Sequence, residues 1–343
     1  MNVTAILTSD MHIRSTVPKC RTDDFLGAMI MKLNFIIDLA NEHDCPILVA
    51  GDIGDKSEWP DWLLTETIRV LKRLMREMYC IPGQHDLPNH SMELLEKSGI
   101  QVLVEASCLS ILHTPFLIRT HRTLSSEIKK VLVHPFPYGK KIAHTKIPMK
   151  AYPNVAVAHQ MVRKRKTEDY PDQGGERGVE LLKKFPEYNL ILTGDNHKPF
   201  VVEHGDRVLV NSGSMLRTTA GQEDHKPRVY LWDAKTNKVE PVYLPIEKGV
   251  VNREHIVKVE ERNERIEVFV RKLKTDYDVS LSFEDNLVAY FRKNKTDDPV
   301  TKLVWECVGE AYEKYKRVIE NEGGDRLRRK RTSKGGGKVR KPL

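Results

Sequence analysis

Residues 47–55 read ILVAGDIGD. A short apolar run stops abruptly at Gly51-Asp52, and a second Gly-Asp pair follows. Such a run, bounded by turn-forming residues, suits a strand buried on both faces, and the glycine lets the chain bend sharply where the strand ends. The same grammar recurs four more times. Residues 3–12 (VTAILTSDMH) lead from a predicted strand, Val3–Thr8, into Asp10 and His12. Residues 78–86 (MYCIPGQHD) lead from Met78–Ile81 into Gln84, His85 and Asp86. Residues 155–159 (VAVAH) end on His159, and residues 190–197 (LILTGDNH) end on Asp195 and His197.

Helical patterns separate the first strands. Phe25, Met29, Leu33, Ile36 and Ala40 fall on one face of the first, and Leu63, Val70, Leu71 and Leu74 on one face of the second. Strand–helix–strand alternation predicts an α/β fold with helices outside the sheet. Further strands are predicted at Val131–His134, Val208–Asn211 and Val229–Trp232, the last as part of a hairpin. A final helix is predicted from Pro299 to about residue 320, with Val300, Leu303, Val304, Cys307, Val308 and Ala311 on its apolar stripe. No internal repeat is present.

In open α/β sheets the carboxyl ends of parallel strands share one edge, where sites form. Five clusters distant in sequence are therefore expected to converge. Their side chains are carboxylates and imidazoles without a thiolate, a donor set that suits manganese, iron or zinc. A two-ion centre needs a bridging carboxylate, and Asp52, placed behind a buried strand and a glycine, is the candidate. Taken singly each piece is weak, because Asp-x-His pairs are common on surfaces and a lone His159 reads as readily as a core histidine. Five such pieces, each at a strand end, carry the weight. Asp55 reads either as a carboxylate supporting the site or as a loop residue. His134 follows an apolar run and could line the site or the core. Trp59-Pro-Asp-Trp62 reads as a staple at a helix start. His43, His90, His113, His121, His144, His204, His225 and His255 read as ordinary surface or loop residues.

Composition narrows the class. The 343 residues include 56 Lys/Arg and 48 Asp/Glu, a net charge of +8, but Arg326–Leu343 holds nine of the basic residues and no acidic one. The rest of the chain, with 47 basic and 48 acidic residues, is nearly neutral. A basic block of this kind is usually disordered and often meets polyanions, so Arg326, Arg328, Arg329, Lys330 and Arg331 are candidate DNA contacts. The five cysteines are scattered without a CxxC pair, which fits a reducing compartment and no structural zinc. The N-terminus lacks signal-peptide character and no apolar run approaches membrane-spanning length. A cytoplasmic location, in a bacterial or phage-infected cell, is the expectation.

At these residues the chain resembles the calcineurin-like metallophosphoesterase superfamily, whose pattern runs DxH, GDxxD, GNH[DE], a lone His and GHxH. Here the pieces read DMH, GDIGD, GQHD, His159 and GDNH. More narrowly it is similar to SbcD-type DNA repair nucleases, including phage recombination endonuclease subunits, through VLVHPFPYG (131–139), GDNHKP (194–199) and VNSGSMLR (210–217). The resemblance spans about residues 1–245. It implies a sandwich of two mixed β-sheets flanked by helices over 1–245. A small C-terminal extension would follow over 246–325, as a reduced cap or a partner-binding helix, and then a basic tail over 326–343. It also implies two divalent ions, manganese foremost with magnesium as the alternative. Metal 1 would be held by Asp10, His12, Asp52 and His197, and metal 2 by Asp52, Gln84, His159 and Asp195. His85 would be the general acid, oriented by Asp86. Two positions depart from the pattern: Gln84 replaces Asn, and Asp195 replaces the first His of GHxH. Both fall on metal 2, which is expected to survive with a preference for hard ions.

The implied partners are DNA and an SMC-family ATPase similar to SbcC, with a homodimer left open. Three functional readings follow: a DNA exo/endonuclease of recombination or repair, a phosphatase or phosphodiesterase on another substrate, and a degenerate site serving as a binding module.

Overall fold

The computed structural model describes residues 1–120, 130–145, 151–164, 175–253, 266 and 282–311. The chain divides into two compact units, Met1–His255 and Ile256–Leu343.

The first unit is built on two six-stranded mixed sheets. One contains β1 (Ala5–Thr8), β2 (Ile47–Val49), β3 (Met78–Cys80), β4 (Ser110–Ile111), β13 (Arg228–Asp233) and β14 (Lys238–Tyr243), in the order β14-β13-β1-β2-β3-β4. The other contains β5 (Phe116–Arg119), β6 (Lys130–Phe136), β7 (Asn154–His159), β10 (Leu190–Gly194), β11 (Phe200–His204) and β12 (Arg207–Asn211), in the order β11-β12-β10-β7-β6-β5. In the first sheet β1 to β4 are parallel and the β13–β14 end is antiparallel; in the second the middle is parallel and both ends are antiparallel. The short pair β8 (Val162–Arg163) and β9 (Glu176–Arg177) stands apart. Helices α1 (Phe25–Glu42), α2 (Asp61–Leu71) and α3 (Gly99–Glu105) accompany the first sheet, and α4 (Gly178–Lys184) the second.

Strand alternation explains the layering. Ala5, Leu7, Leu48 and Ala50 point inward and meet Val155, Val157, Leu190 and Leu192 of the other sheet. Their neighbours Ile6, Ile47 and Val49 point outward and pack on Phe25, Met29, Leu33 and Ile36 of α1. On the far side Ala156, Ala158, Ile191 and Leu209 pack on Leu181, Leu182, Phe185 and Tyr188. Each central strand is buried on both faces, which is why it reads as a continuous apolar run rather than an alternating one. The α/β sandwich of two mixed sheets expected from the sequence is the observed fold. Val229–Trp232 does form a hairpin, β13–β14.

Register sets the site. Thr8 lies opposite Val49, and Val49 opposite Cys80, so β1, β2 and β3 end at one level. In the second sheet Gly194 lies opposite His159.

In the second unit, α5 (Phe283–Asn294) is capped by Ser282, whose side chain accepts the Asp285 N–H. Residues 298–311 are helical. From the apolar stripe expected there, Val304 and Val308 pack on Leu287, Tyr290 and Phe291, joined by Trp305, which the stripe did not include. Its partner α5 is a helix the sequence pattern did not reveal. The rest of the predicted helix, most of the charged stretch 260–267 and the basic tail, with Arg326, Arg328, Arg329, Lys330 and Arg331, lie outside the described residues. Among the described residues no helix is long and apolar enough to cross a membrane.

Leu192 is fully buried between the sheets. Leu192→Ala is expected to cost about 2–5 kcal/mol, read as a lowered urea midpoint with an unchanged m-value.

Candidate metal centre

The parallel strand ends deliver the expected side chains to one place. Asp10, His12 and His197 offer ligand atoms within 4.8 Å of one another, as do His12, Asp52 and His85, and Asp10, Asp52 and His159. The groups overlap, and Asp52 belongs to two of them. Gln84 joins through its amide oxygen, 2.6 Å from His159 Nε2, and Asp195 through Gln84, whose Nε2 donates to Asp195 Oδ1 at 2.9 Å.

The backbone is bent to make this possible. Asp10, His12, Asp52 and Asp195 all have positive φ, of 49°, 47°, 52° and 77°. Left-handed backbone at a non-glycine residue costs on the order of 1–3 kcal/mol and persists only where the surroundings enforce it. The enforcement is visible: Asp10 N–H donates to the Gly51 carbonyl and His12 N–H to the Asp52 carbonyl, each at 3.0 Å. Gly51 itself lies at φ 86°, and a Cβ there would collide with the His159 ring. A Cβ on Gly83 would collide with the Asp52 carboxylate.

Two of the rings, His159 and His85, are aimed by backbone carbonyls. His159 Nδ1–H donates to Ala50 O at 2.6 Å, which turns Nε2 toward Gln84 and toward Asp52 Oδ2, 3.4 Å away. His85 Nδ1–H donates to Asp55 O at 2.9 Å. Asp86 was expected to orient His85 and does not. Its carboxylate accepts the N–H groups of Gly54 (2.8 Å), Gly83 (2.9 Å) and Ile53 (3.3 Å), clamping the loop after β2 to the loop after β3. It is spent on those three donors, so the Asp55 carbonyl takes the orienting role. The Asp55 side chain pairs with Arg14 at 3.0 Å. His134 is a core residue: it is buried, 3.2 Å from Asn154 Oδ1 and edge-on to Tyr188. Trp59 is buried before α2, while Trp62 is exposed.

Electrostatics test whether a cation fits. Asp10 and Asp52 are both fully buried. One oxygen of each is satisfied, Asp10 Oδ1 by Asp195 N–H (3.0 Å) and Asp52 Oδ1 by His85 N–H (2.9 Å). The other oxygen of each, and His12 Nδ1, has no hydrogen-bond partner. Burial lowers His12 to about 3, so its ring is neutral, the form that ligates metals. Burial raises the Asp10 carboxyl. For Asp52 burial acts upward, but His159, His12 and His85 outweigh it and hold the carboxyl at about 2. Burial would lower His159, yet Asp52, Asp10 and the Ala50 carbonyl raise it to about 10. The two buried carboxylates thus favour positive charge on His159. Cations would supply that charge instead and free Nε2 to ligate. Unsatisfied buried carboxylate oxygens facing imidazole nitrogens fit divalent ions.

A family profile, calcineurin-like phosphoesterase, matches residues 3–199, more than half of the chain. The chain belongs to the calcineurin-like phosphoesterase family. Among solved structures, a novel archaeal phosphodiesterase is similar at 13% identity and a TM-score of 0.36, over 70% of this chain and 99% of its own. No curated protein matches.

In this calcineurin-like phosphoesterase, several supporting groups had no signature in the sequence. The carbonyls of Ala50 and Asp55 are main-chain atoms. Ser214 N–H donates to His197 O and Met215 N–H to Asp10 O, both at 3.1 Å, so the 212–217 loop pins two ligand backbones at once. The only sequence signal for that loop was the VNSGSMLR stretch. His225, read as an ordinary residue, is half-buried against Ser214 and lines a cavity of about 550 Å³ with His197, Lys198 and Gln222.

Manganese is expected to raise the melting temperature of the metal-stripped chain, because it binds the folded state alone. Asp52→Asn should abolish that rise in a thermal scan; a full rise in this variant would show that Asp52 is not a bridge.

Proposed function

We propose that the chain is a metal-dependent phosphodiesterase acting on DNA, in the manner of the SbcD-type nucleases that its motifs resemble. The observation that carries the phosphoesterase chemistry is the pair of buried carboxylates, Asp10 and Asp52, each with one oxygen that has no hydrogen-bond partner and lies among imidazoles. Metal 1 would be held by Asp10, His12, Asp52 and His197, and metal 2 by Asp52, Gln84, His159 and Asp195. Hard oxygen donors from Gln84, Asp195 and Asp52 favour manganese or magnesium at the second position. When bound, the ions acidify water and neutralise charge on the phosphate under attack.

The chain's own residues supply the rest. Hydrolysis adds water across one P–O ester bond, and the departing oxygen needs a proton. His85 lies edge-on to His12, with ring centroids 5.0 Å apart. Its Nδ1–H is held by the Asp55 carbonyl, so the proton for the leaving oxygen is carried on Nε2. The fixed carbonyl prevents the ring from turning. Arg14 pairs with the Asp55 carboxylate and so steadies the residue whose carbonyl holds the ring. Asp86 holds the two loops at fixed separation and never touches the reacting atoms.

DNA as substrate is supported by the VLVHPFPYG, GDNHKP and VNSGSMLR stretches and by the nine basic residues after Asp325. An SMC-type ATPase partner is proposed on the same resemblance.

The test is incubation of linear duplex and single-stranded DNA with manganese and then with chelator. Chelator-sensitive loss of DNA is expected. Hydrolysis confined to bis-p-nitrophenyl phosphate would replace the nuclease reading with a non-DNA phosphodiesterase, and hydrolysis of neither would leave a binding module. His85→Ala is expected to lower kcat on DNA by about 100-fold or more while metal content stays at the wild-type level. Normal cutting by that variant would remove His85 from the role.

A further inference from the structure

Just beyond Asp86 the chain makes a short 3-10 turn, Pro88–His90, that is strained twice over. Asn89 (φ 50°, ψ 27°) and His90 (φ 55°) are consecutive non-glycine residues in the left-handed region. Asn and His are among the non-glycine residues found there most often, yet two in succession still hold the chain in an uncommon turn. The turn is held by His90 N–H to Leu87 O at 3.0 Å and by His90 Nδ1–H to the carbonyl of Gln84 at 3.0 Å. Strain of this kind collects at functional sites. Its effect here is to keep an exposed imidazole on the rim of the centre, directly behind Gln84.

A second ring stands beside it. Tyr138 lies 6.1 Å from His90, centroid to centroid, with the planes inclined at 53°. It is 37% exposed. Its N–H donates to Pro82 O at 3.0 Å, so the Tyr138 turn and the His90 turn are both tied to the same 82–84 loop that carries Gln84. The turn closes through Lys140 N–H to Pro137 O at 2.9 Å. Gly139 at its tip faces open space, and Lys140 and Lys141 follow it, both exposed. An exposed aromatic ring gains little from burial, and two strained residues cost stability. Neither feature serves the core.

We propose that Tyr138 and His90, with Lys140 and Lys141, form a binding rim for an unpaired nucleobase and its flanking phosphate on the Gln84 side of the centre. The proposal rests on the nucleic-acid reading above and names the part of the substrate it takes: single-stranded DNA. A base within a duplex hides both faces in its stack, whereas an unpaired base offers one to Tyr138. The 53° inclination excludes a parallel clamp, so one face stacks on Tyr138 while His90 meets the base at an angle. The lysines meet backbone phosphate without regard to sequence.

The test uses the full chain with manganese on a His85→Ala background, which binds without cutting. Affinity is measured by fluorescence anisotropy for labelled oligo(dT) and for an abasic oligonucleotide of equal length and charge. Oligo(dT) is expected to bind about 5–100-fold more tightly. Adding Tyr138→Ala should erase most of that preference, and Tyr138→Phe should keep it. Replacing both lysines by alanine should weaken both oligonucleotides alike and flatten the salt dependence. Circular dichroism melting verifies that Tyr138→Ala is folded; His90→Ala, expected to give a smaller loss of preference, serves if it is not. An undiminished preference in folded Tyr138→Ala, or none in the parent, overturns the rim. If the parent binds neither oligonucleotide while the wild-type chain hydrolyses bis-p-nitrophenyl phosphate, the nucleic-acid reading itself falls, and the rim with it.

Discussion

Two carboxylates, Asp10 and Asp52, are taken out of water with one oxygen each left unsatisfied. Burying an uncompensated carboxylate is among the most costly things a fold can do. Everything around the site is arranged to make that burial tolerable. Four imidazoles crowd the pair, backbone N–H groups occupy the remaining oxygens, and the two carboxylates push the His159 imidazole up. Divalent cations would complete this charge balance and would supply the chemistry that phosphoester hydrolysis requires.

Holding the pair demands rigidity that the strand ends alone do not supply. The loops after β1 and β2 continue to pair past the sheet edge, from Asp10 to Ile13 against Gly51 to Ile53. Asp86 fastens the loop after β3 to the loop after β2 through three N–H groups. Arg217 extends the same bracing outward. Its guanidinium donates to the Glu223 and Glu247 carbonyls, its own carbonyl accepts from Arg21, and the loop before it grips Asp10 and His197. The four left-handed residues of the site are therefore trapped between braces rather than relaxed.

The two departures from the family pattern resolve each other. Gln84 is one methylene longer than asparagine, and Asp195 replaces a histidine. The Gln84 amide donates to Asp195 and thereby presents its oxygen to His159. Each change alone would leave a polar group misplaced in a half-buried site. Together they form one hydrogen-bonded unit that keeps oxygen donors facing Asp52.

The strands that deliver the site were legible because each is buried on both faces and ends in polar punctuation. β14, with its alternating exposed residues and Pro241, offers no such run, and the short edge strand β5 and the charged helix α5 were hidden for the same reason. By itself the sequence determined the residue types at each strand end, their order and hence the chemistry they can support. It could not determine which oxygens would be left unsatisfied, that Asp86 would clamp loops instead of orienting His85, that His134 would belong to the core, or that Ala50 and Asp55 would act through carbonyls. Those outcomes depend on strand register and on left-handed turns that bring together residues 30 to more than 100 positions apart. Local pattern carries no information about such pairings until the sheets have closed on each other.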